Sequence, residues 1–168
     1  MANVEDAPID PERPDAPARR SRWRRALRWS GIGVVAVLVA IQLVPYGWWH
    51  TNPAVVRDAP WPDERSASIA RTSCYSCHSN ETDWPAYSYV APMSWLVRVD
   101  VEDGRAELNF SDWDEYADEA EDAIEAVSSG EMPLGRYTLI HRDAELTDEE
   151  AQVLIRALGQ MSAAAGER

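Results

Sequence analysis

The sequence predicts an all-α fold in which one helical domain follows a single N-terminal membrane helix. An uncharged stretch from Ser30 to Trp49 is long enough to cross a bilayer as a helix. Farther along the chain, apolar residues recur at steps of three and four, the spacing of one helix face. The sequence shows neither an internal repeat nor a convincing hairpin pattern. Helices are therefore favoured over a sheet.

The N-terminal region changes character twice. Residues 1–18 are rich in Pro, Asp and Glu and lack aromatic residues, so we predict a disordered acidic tail. Six arginines from Arg19 to Arg28 then precede the uncharged stretch, and residues 19–49 are predicted to form a basic flank and a transmembrane anchor. A helix over Ser30–Trp49 would rise about 30 Å, with Trp and Tyr at its far end as interfacial residues.

The arginine flank also predicts the orientation of the anchor. Arginines favour the cytoplasmic side, so the N-terminus is expected in the cytoplasm and everything after about His50 in the periplasm. A cleaved signal peptide is the alternative interpretation of such a run. The retained anchor is favoured because the run ends in bulky residues and not in a small-residue cleavage site.

The rest of the chain divides into a linker, a domain and a short tail. Residues 50–62 contain three prolines and predict an extended linker. The soluble domain is expected over residues 63–161, and residues 162–168 are a small-residue, flexible tail. Asp63 is a candidate N-cap for a helix over Asp63–Ser76 that delivers the cysteines. A further helix is predicted over Ser94–Glu107, where alternating valines leave a strand as the alternative.

Two capping signals mark the helices of the C-terminal half. Ser111 with Asp114 resembles a capping box with Asp in place of Glu or Gln, and Thr147 with Glu150 is a complete one. After the first signal, one helical face is formed by Trp113, Tyr116, Ala117, Ala120, Ile124 and Val127. After the second, the apolar pattern continues through Val153, Leu154 and Leu158.

The charge balance excludes one class of partner. The net charge is -13, from 29 acidic residues against 16 arginines, and lysine is absent. Only nine arginines, against 24 acidic residues, lie beyond Ser30. Because the predicted domain has so little basic surface to neutralise phosphates, a nucleic-acid partner is excluded. The acidity suits solubility or adaptation to salt, or it steers the domain toward a basic docking face.

The chemistry is concentrated in one short motif. The two cysteines of the chain stand in the run Cys74-Tyr75-Ser76-Cys77-His78, which is C-x-x-C-H. Thiols at this spacing can reach the two vinyl groups of one haem, and the adjacent imidazole then becomes the fifth ligand of the iron. A thioredoxin-type disulfide would require a βαβ pattern, and a zinc site would require further cysteines. We predict one covalent haem c on Cys74 and Cys77, with His78 as a metal ligand.

The sixth position of the iron has several candidates. Met132 is favoured because it lies in a proline-containing loop after a helix, where its thioether can face the haem. Its alternative role is that of a core gap-filler, the commoner fate of methionine. Met93 is the second candidate and His141 the third, and His–His coordination would lower the reduction potential. Met161 and His50 complete the set, and an open or water-bound site is the remaining alternative.

Two polar residues are candidates for contacts with haem propionates. Arg105 and Asn109 stand downstream of the motif, and a guanidinium can bind a carboxylate through two hydrogen bonds. The alternative for Arg105 is a surface position in an acidic domain. The domain's aromatic residues are expected to pack in the core or around the haem.

Further motifs carry a family resemblance. They are Thr82, Trp84-Pro85, Tyr87, Ala91-Pro92, Trp95, Asp100-Val101, Gly104-Arg105, the run from Leu108 to Ser111, Trp113, Met132-Pro133, Tyr137, His141, Ala144 and Leu146-Thr147. Together with C-x-x-C-H, they resemble the bacterial haem-binding domain family of membrane-anchored monohaem proteins, from roughly Pro45 to Leu158. The resemblance implies a cytochrome-c-like fold with His78 proximal and Met132 distal. His141-Arg142 stands where the family commonly has His-Pro.

These features favour an electron carrier on the outer face of the cytoplasmic membrane. The expected partners are membrane lipid through Ser30–Trp49 and a redox protein, which could be a membrane complex. Neither a catalytic residue nor a small-molecule substrate is predicted, because the sequence shows no convincing acid–base constellation of a peroxidase. The alternatives are an accessory haem subunit of a respiratory or photosynthetic complex and a haem-based gas or redox sensor.

Overall fold

The computed structural model describes residues 16–166, so the predictions for residues 1–15 and 167–168 lie outside it. Within this range the chain is helical and contains no strand beyond a single isolated bridge between Arg57 and Asp112. The predicted all-α class is therefore confirmed. The chain divides into two compact units, one ending at Val44 and the other beginning at Pro45.

The first unit contains helix α1 (Ala16–Ile41), which begins earlier and ends earlier than the predicted helix over Ser30–Trp49. Pro45 explains the end. It has no N–H to donate to the Ile41 carbonyl, and its ring would crowd that carbonyl. The predicted extent of the helix is therefore wrong. Among residues 16–166, no helix is both long enough and apolar enough to cross a membrane.

The second unit contains the remaining helices. They are α2 (Glu64–Ser73), α3 (Tyr75–His78), α4 (Met93–Glu107), α5 (Trp113–Tyr116), α6 (Ala120–Ser129), α7 (Gly135–Thr138) and α8 (Asp148–Gly166). Single turns of 3₁₀ helix occur at Ala86–Tyr89, Ala117–Glu119 and Arg142–Ala144. Helix α8 includes residues 162–166, which the sequence had assigned to a flexible tail.

The two predicted helices around the cysteine motif are present. Asp63 caps α2, since its carboxylate accepts a hydrogen bond from the Ser66 N–H at 2.9 Å. The predicted helix Asp63–Ser76 is interrupted at Cys74, where α2 ends, and α3 begins at the next residue. Residues 94–107 lie in α4, so the helical alternative is confirmed over the strand.

One of the two capping boxes has formed. The Thr147 N–H donates to the Glu150 carboxylate at 2.9 Å, and the Glu150 N–H donates to the Thr147 hydroxyl at 3.3 Å. The box at Ser111 is wrong. Ser111 is fully buried, and its hydroxyl accepts a hydrogen bond from the Asn80 N–H at 2.9 Å. Because buried N–H groups need a hydrogen-bond acceptor, the Ser111 hydroxyl pairs with the backbone N–H of Asn80 and does not cap a helix.

Residues 50–62 contain no helix, and they pack against the helices of the second unit. The Ala59 N–H donates to the Phe110 carbonyl at 2.8 Å, and Ala59 is buried. The Trp61 indole donates to the Tyr75 hydroxyl at 2.9 Å, and that hydroxyl donates to Asp58 at 2.7 Å. The segment is thus part of the folded unit and holds α3 from one side.

The core of the second unit lies where α2, α5, α6 and α8 meet. Its buried members include Tyr75, Phe110, Trp113, Leu154 and Leu158. Phe110 stacks on Tyr75 with ring centres 5.4 Å apart and on Trp113 at 6.2 Å. Phe110, at the centre of this aromatic stack, lines the site described next.

Candidate functional site

Both cysteines and the following histidine lie on a single helical turn. The Cys77 and His78 N–H groups donate to the Cys74 carbonyl at 3.1 Å and 2.9 Å, and the Cys74 N–H donates to the Ala70 carbonyl at 2.8 Å. Helix α2 therefore continues directly into the turn that carries the motif. Both cysteines are free thiols in this structure.

One ring nitrogen of His78 is hydrogen-bonded to the backbone, and the other is available to bind a metal. Its Nδ1 lies 3.1 Å from the Leu108 carbonyl oxygen. A carbonyl can only accept a hydrogen bond, so Nδ1 carries the proton and the Nε2 lone pair is available to a metal. Burial lowers the pKa of His78, which keeps the imidazole neutral, as a metal ligand requires. The Phe110 N–H donates to the His78 carbonyl at 2.8 Å and fixes the backbone as well.

An apolar cavity of about 300 Å³ lies beside this turn, within the size range of cofactor sites. Its wall includes Cys74 and His78. The apolar side chains that line it include Trp61, Leu108, Phe110, Met132, Leu146, Leu154 and Leu158. A neighbouring cavity of about 230 Å³ shares Cys74, His78 and Met132 and adds Cys77. The two thiols and the imidazole thus face a common apolar space.

Met132 reaches this space because of the way α6 ends. Gly130 adopts a left-handed conformation with φ of 76°, which reverses the chain after the helix. The Met132 N–H then donates back to the Ala126 carbonyl at 3.0 Å. These bonds fix the backbone of Met132, and its side chain lines both cavities that contain His78.

The other candidate ligands line neither of these two cavities. Met93 and His141 line a third cavity of about 240 Å³, whose wall also includes Cys77 but not His78. His141 Nε2 lies 2.6 Å from the Tyr87 hydroxyl oxygen, so the nitrogen already has a partner. His50 Nε2 lies 3.0 Å from the Ser88 carbonyl, and Met161 is 3% exposed within the helical core. The structure brings together Cys74, Cys77, His78 and Met132 of the sequence-predicted residues.

Neither polar residue expected near the propionates is free for that role. Arg105 donates to the Ser79 and Thr51 carbonyls at 2.7 and 3.0 Å, and also to the Asn52 and Thr82 side chains. Asn109 donates to the Asn80 side chain at 3.0 Å and accepts from the Ser111 N–H. Both side chains instead tie the segments around the motif together, so that expectation is corrected.

Two contributors to the site were missed from the sequence. The first is the Leu108 carbonyl, which orients His78. The second is Gly104 in α4, where a Cβ would lie 2.8 Å from the Cys77 carbonyl oxygen. Gly104 therefore permits α4 to lie directly against the motif. An isolated glycine inside a helical pattern is the sequence signal that could have indicated this close approach.

The thiols lack the features of a redox-active or metal-binding cysteine pair. Burial raises the pKa of the Cys74 thiol to about 12 and that of Cys77 to about 11. Reactive dithiols and zinc ligands need the thiolate, which an electropositive site stabilises. The described residues also contain no group of three or more His, Cys, Asp or Glu that could hold a metal ion.

The residues present fit a haem. Two protonated thiols three positions apart, a neutral imidazole with Nε2 available and a thioether line two neighbouring, mostly apolar cavities of about 300 and 230 Å³. This donor set matches the His–Met ligation and paired thioether attachment of a c-type haem. A structural disulfide or a zinc site would explain neither the orientation of the His78 imidazole nor the position of Met132 in the cavity wall.

The comparison with protein families agrees with this fit. Residues 36–160, well over half of the chain, match the sequence model of the family described as haem-binding domain. No curated protein and no solved structure shows a significant match to the chain.

Proposed function

This chain belongs to the haem-binding domain family, and on that premise we propose that it is a monohaem c-type cytochrome that transfers electrons at the outer face of the cytoplasmic membrane. The observation that carries the proposal is the shared apolar space faced by Cys74, Cys77, His78 and Met132. Haem in such a site supplies a one-electron iron couple. The helical domain around it would then be cytochrome-c-like.

Each side chain has one role in this proposal. Cys74 and Cys77 would hold the haem covalently through their sulfur atoms. His78 and Met132 would supply the protein ligands of the iron, and the Leu108 carbonyl orients the His78 imidazole. The Gly130 turn holds the methionine loop in place. Six-coordinate iron with two protein ligands favours electron transfer over chemistry on a small molecule, so we propose a carrier and not an enzyme.

The proposed partner is a redox protein with a basic docking face. Four carboxylates line the wall of the cavity that contains His78, namely Glu107, Glu119, Asp122 and Glu131. These side chains belong to residues that are exposed. Carboxylates around a redox centre attract a basic surface and orient it, and salt screens the attraction.

We also propose that the chain is attached to the membrane through its N-terminal region. The support comes from the sequence, where an arginine cluster precedes the uncharged residues 30–49. An attached domain stays at a high effective concentration near a membrane-bound redox partner. In this arrangement the domain that begins at Pro45 lies in the periplasm.

Absorption spectra of both redox states test the proposal. Protein made in a host that matures c-type cytochromes should show the narrow reduced bands of a six-coordinate c-type haem and should not bind carbon monoxide rapidly. The haem should also exchange electrons reversibly at an electrode. Rapid and tight carbon monoxide binding by the reduced protein would indicate an open sixth position and favour a gas sensor. Isolation in a fixed ratio with other subunits would favour an accessory subunit.

A further inference from the structure

Two segments of the second unit are free of charge. Residues 46–56 and 84–97 contain no Asp, Glu, Arg or Lys, although the chain has 29 acidic residues and 16 basic ones. The large apolar side chains exposed on these segments include Tyr46 (42%), Trp48 (51%), Trp49 (62%), Tyr89 (61%) and Val90 (55%). We call these five residues the aromatic patch. Exposed apolar side chains that cluster on a protein surface mark interaction sites for proteins or membranes.

His50 holds the two segments of the aromatic patch together. Its ring centre lies 4.1 Å from that of Tyr89 and 4.5 Å from that of Trp84. Its Nε2 lies within hydrogen-bond distance, 3.0 Å, of the Ser88 carbonyl oxygen. The segment after residue 45 is therefore anchored to the turn that carries Tyr89 and Val90.

Gly47 fixes the same segment against α4. Its φ of 81° favours glycine, and a Cβ there would lie 2.6 Å from the Ser94 carbonyl oxygen. Gly47 is buried, whereas Trp48 and Trp49 on its C-terminal side are exposed. The backbone thus holds the two indoles on the outside of a packed segment. The exposed aromatics belong to the folded unit and not to a loose connection.

Beside Tyr46, the aromatic patch is bordered by a neutral ion pair. The Arg98 guanidinium lies over the Tyr46 ring, 5.3 Å from its centre, and forms a 2.6 Å ion pair with Glu102. The Tyr46 hydroxyl lies 3.5 Å from the other oxygen of Glu102. A surface of this kind can approach lipid headgroups without removing water from an unpaired carboxylate.

We propose that the aromatic patch inserts into the headgroup layer of a phospholipid bilayer and sets the orientation of the haem domain on the membrane. Trp and Tyr favour this layer because their rings are apolar at one end and polar at the other. The patch begins at Tyr46, close after the uncharged residues 30–44 in the chain. It can therefore reach the bilayer to which these residues are proposed to attach. This inference rests on the membrane attachment proposed above.

Site-directed spin labelling of the full chain in phosphatidylcholine nanodiscs tests the proposal. The proposed haem bonds occupy Cys74 and Cys77, so an introduced cysteine accepts the nitroxide alone. One label is placed in the patch by Val90→Cys and a matched one at an exposed site of α6 by Ser129→Cys. Molecular oxygen concentrates in lipid, whereas a nickel chelate stays in water. The label at position 90 should collide severalfold more often with oxygen than with nickel, and the label at position 129 should show the reverse.

The controls separate this inference from the attachment on which it rests. Trp49→Ser with Tyr89→Ser, combined with the label at position 90, should shift its collisions toward nickel. Equal nickel accessibility at positions 90 and 129 in chains that co-purify with nanodiscs would refute the patch and leave membrane attachment standing. Shielding of position 90 from both reagents would also refute it, because a protein or a second copy would then cover the patch. Failure to enter nanodiscs would refute both, while the haem spectrum of the same sample reports separately on the cofactor.

Discussion

Gly104→Ala is expected to damage the site through backbone contact alone. An alanine Cβ at this position would lie 2.8 Å from the Cys77 carbonyl oxygen and 3.1 Å from both the Cys77 carbonyl carbon and Cβ. These are mostly backbone atoms of the motif, so no flexible side chain can move aside. Helices α3 and α4 would have to separate by several tenths of an ångström. Overpacking of this kind costs about 1–3 kcal/mol.

The alanine also brings a gain that must be subtracted. Replacing glycine within a helix by alanine improves helix propensity by about 1 kcal/mol. The net loss of unfolding free energy for Gly104→Ala should therefore be about 2 kcal/mol at most. For a domain of this size, each kcal/mol lowers the midpoint of thermal unfolding by roughly 4 °C. Circular dichroism at increasing temperature measures this shift, and the yield of haem-loaded protein should fall with it.

Gly159→Ala is the matched control. Gly159 also lies inside a helix, α8, but the nearest atom to its added Cβ is Ile124 Cδ1 at 4.0 Å, an ordinary contact. This variant should gain up to about 1 kcal/mol from propensity alone. If Gly104→Ala were as stable as Gly159→Ala, the close approach of α4 to the motif would be wrong.

Three further predictions concern the ligand, the segments around the motif and the helix that leads to it. Met132→Ala should abolish the weak far-red charge-transfer band of the oxidised protein, lower the reduction potential and open the reduced iron to carbon monoxide. Met93→Ala should leave all three properties unchanged. The opposite pattern would assign the sixth ligand to Met93. Arg105→Lys keeps the charge but loses the forked hydrogen bonds to Ser79, Thr51, Asn52 and Thr82. Urea unfolding should therefore show a loss of unfolding free energy of about 1–3 kcal/mol. The control Arg65→Lys, at an exposed ion pair, should leave the urea midpoint unchanged. The Ser66 N–H holds the pKa of Asp63 below its usual range, so its contribution to stability is present above the unfolded pKa and is lost as the pH falls through the folded pKa. Asp63→Asn should therefore weaken the fall in stability below roughly pH 4, and an unchanged acid profile would contradict this role of the cap.

The parts of the site that could be predicted are those written in local sequence. The cysteine spacing places both thiols and His78 on one turn whatever surrounds them, and the run Gly130-Glu131-Met132-Pro133 predicts that a helix ends there and a proline-containing loop follows. The Asp63 cap and the Thr147–Glu150 box are equally local, because each partner is within three residues.

The parts that could not be predicted depend on contacts between distant segments. His78 is oriented by the carbonyl of Leu108, 30 residues away, and Gly104 matters only because α4 crosses the motif. Ser111 is a residue type that commonly caps helices, but it is buried and its hydroxyl accepts a hydrogen bond from the backbone N–H of Asn80. Arg105 carries the charge that could bind a propionate, but its guanidinium donates hydrogen bonds to four acceptors within the protein. In each case tertiary packing decided between roles that the residue type leaves open.

The most direct test of the central claim is the intact mass of the polypeptide after acid–acetone extraction, which removes haem that is not covalently bound. Protein made in a host that matures c-type cytochromes should keep its colour and weigh one haem more than the bare chain. Cys74→Ser and Cys77→Ser should each reduce the attachment to one thioether bond, and the double variant should lose its haem to the solvent. A bare-chain mass for the wild-type protein, with free haem in the acetone, would contradict the assignment of Cys74 and Cys77 as attachment sites.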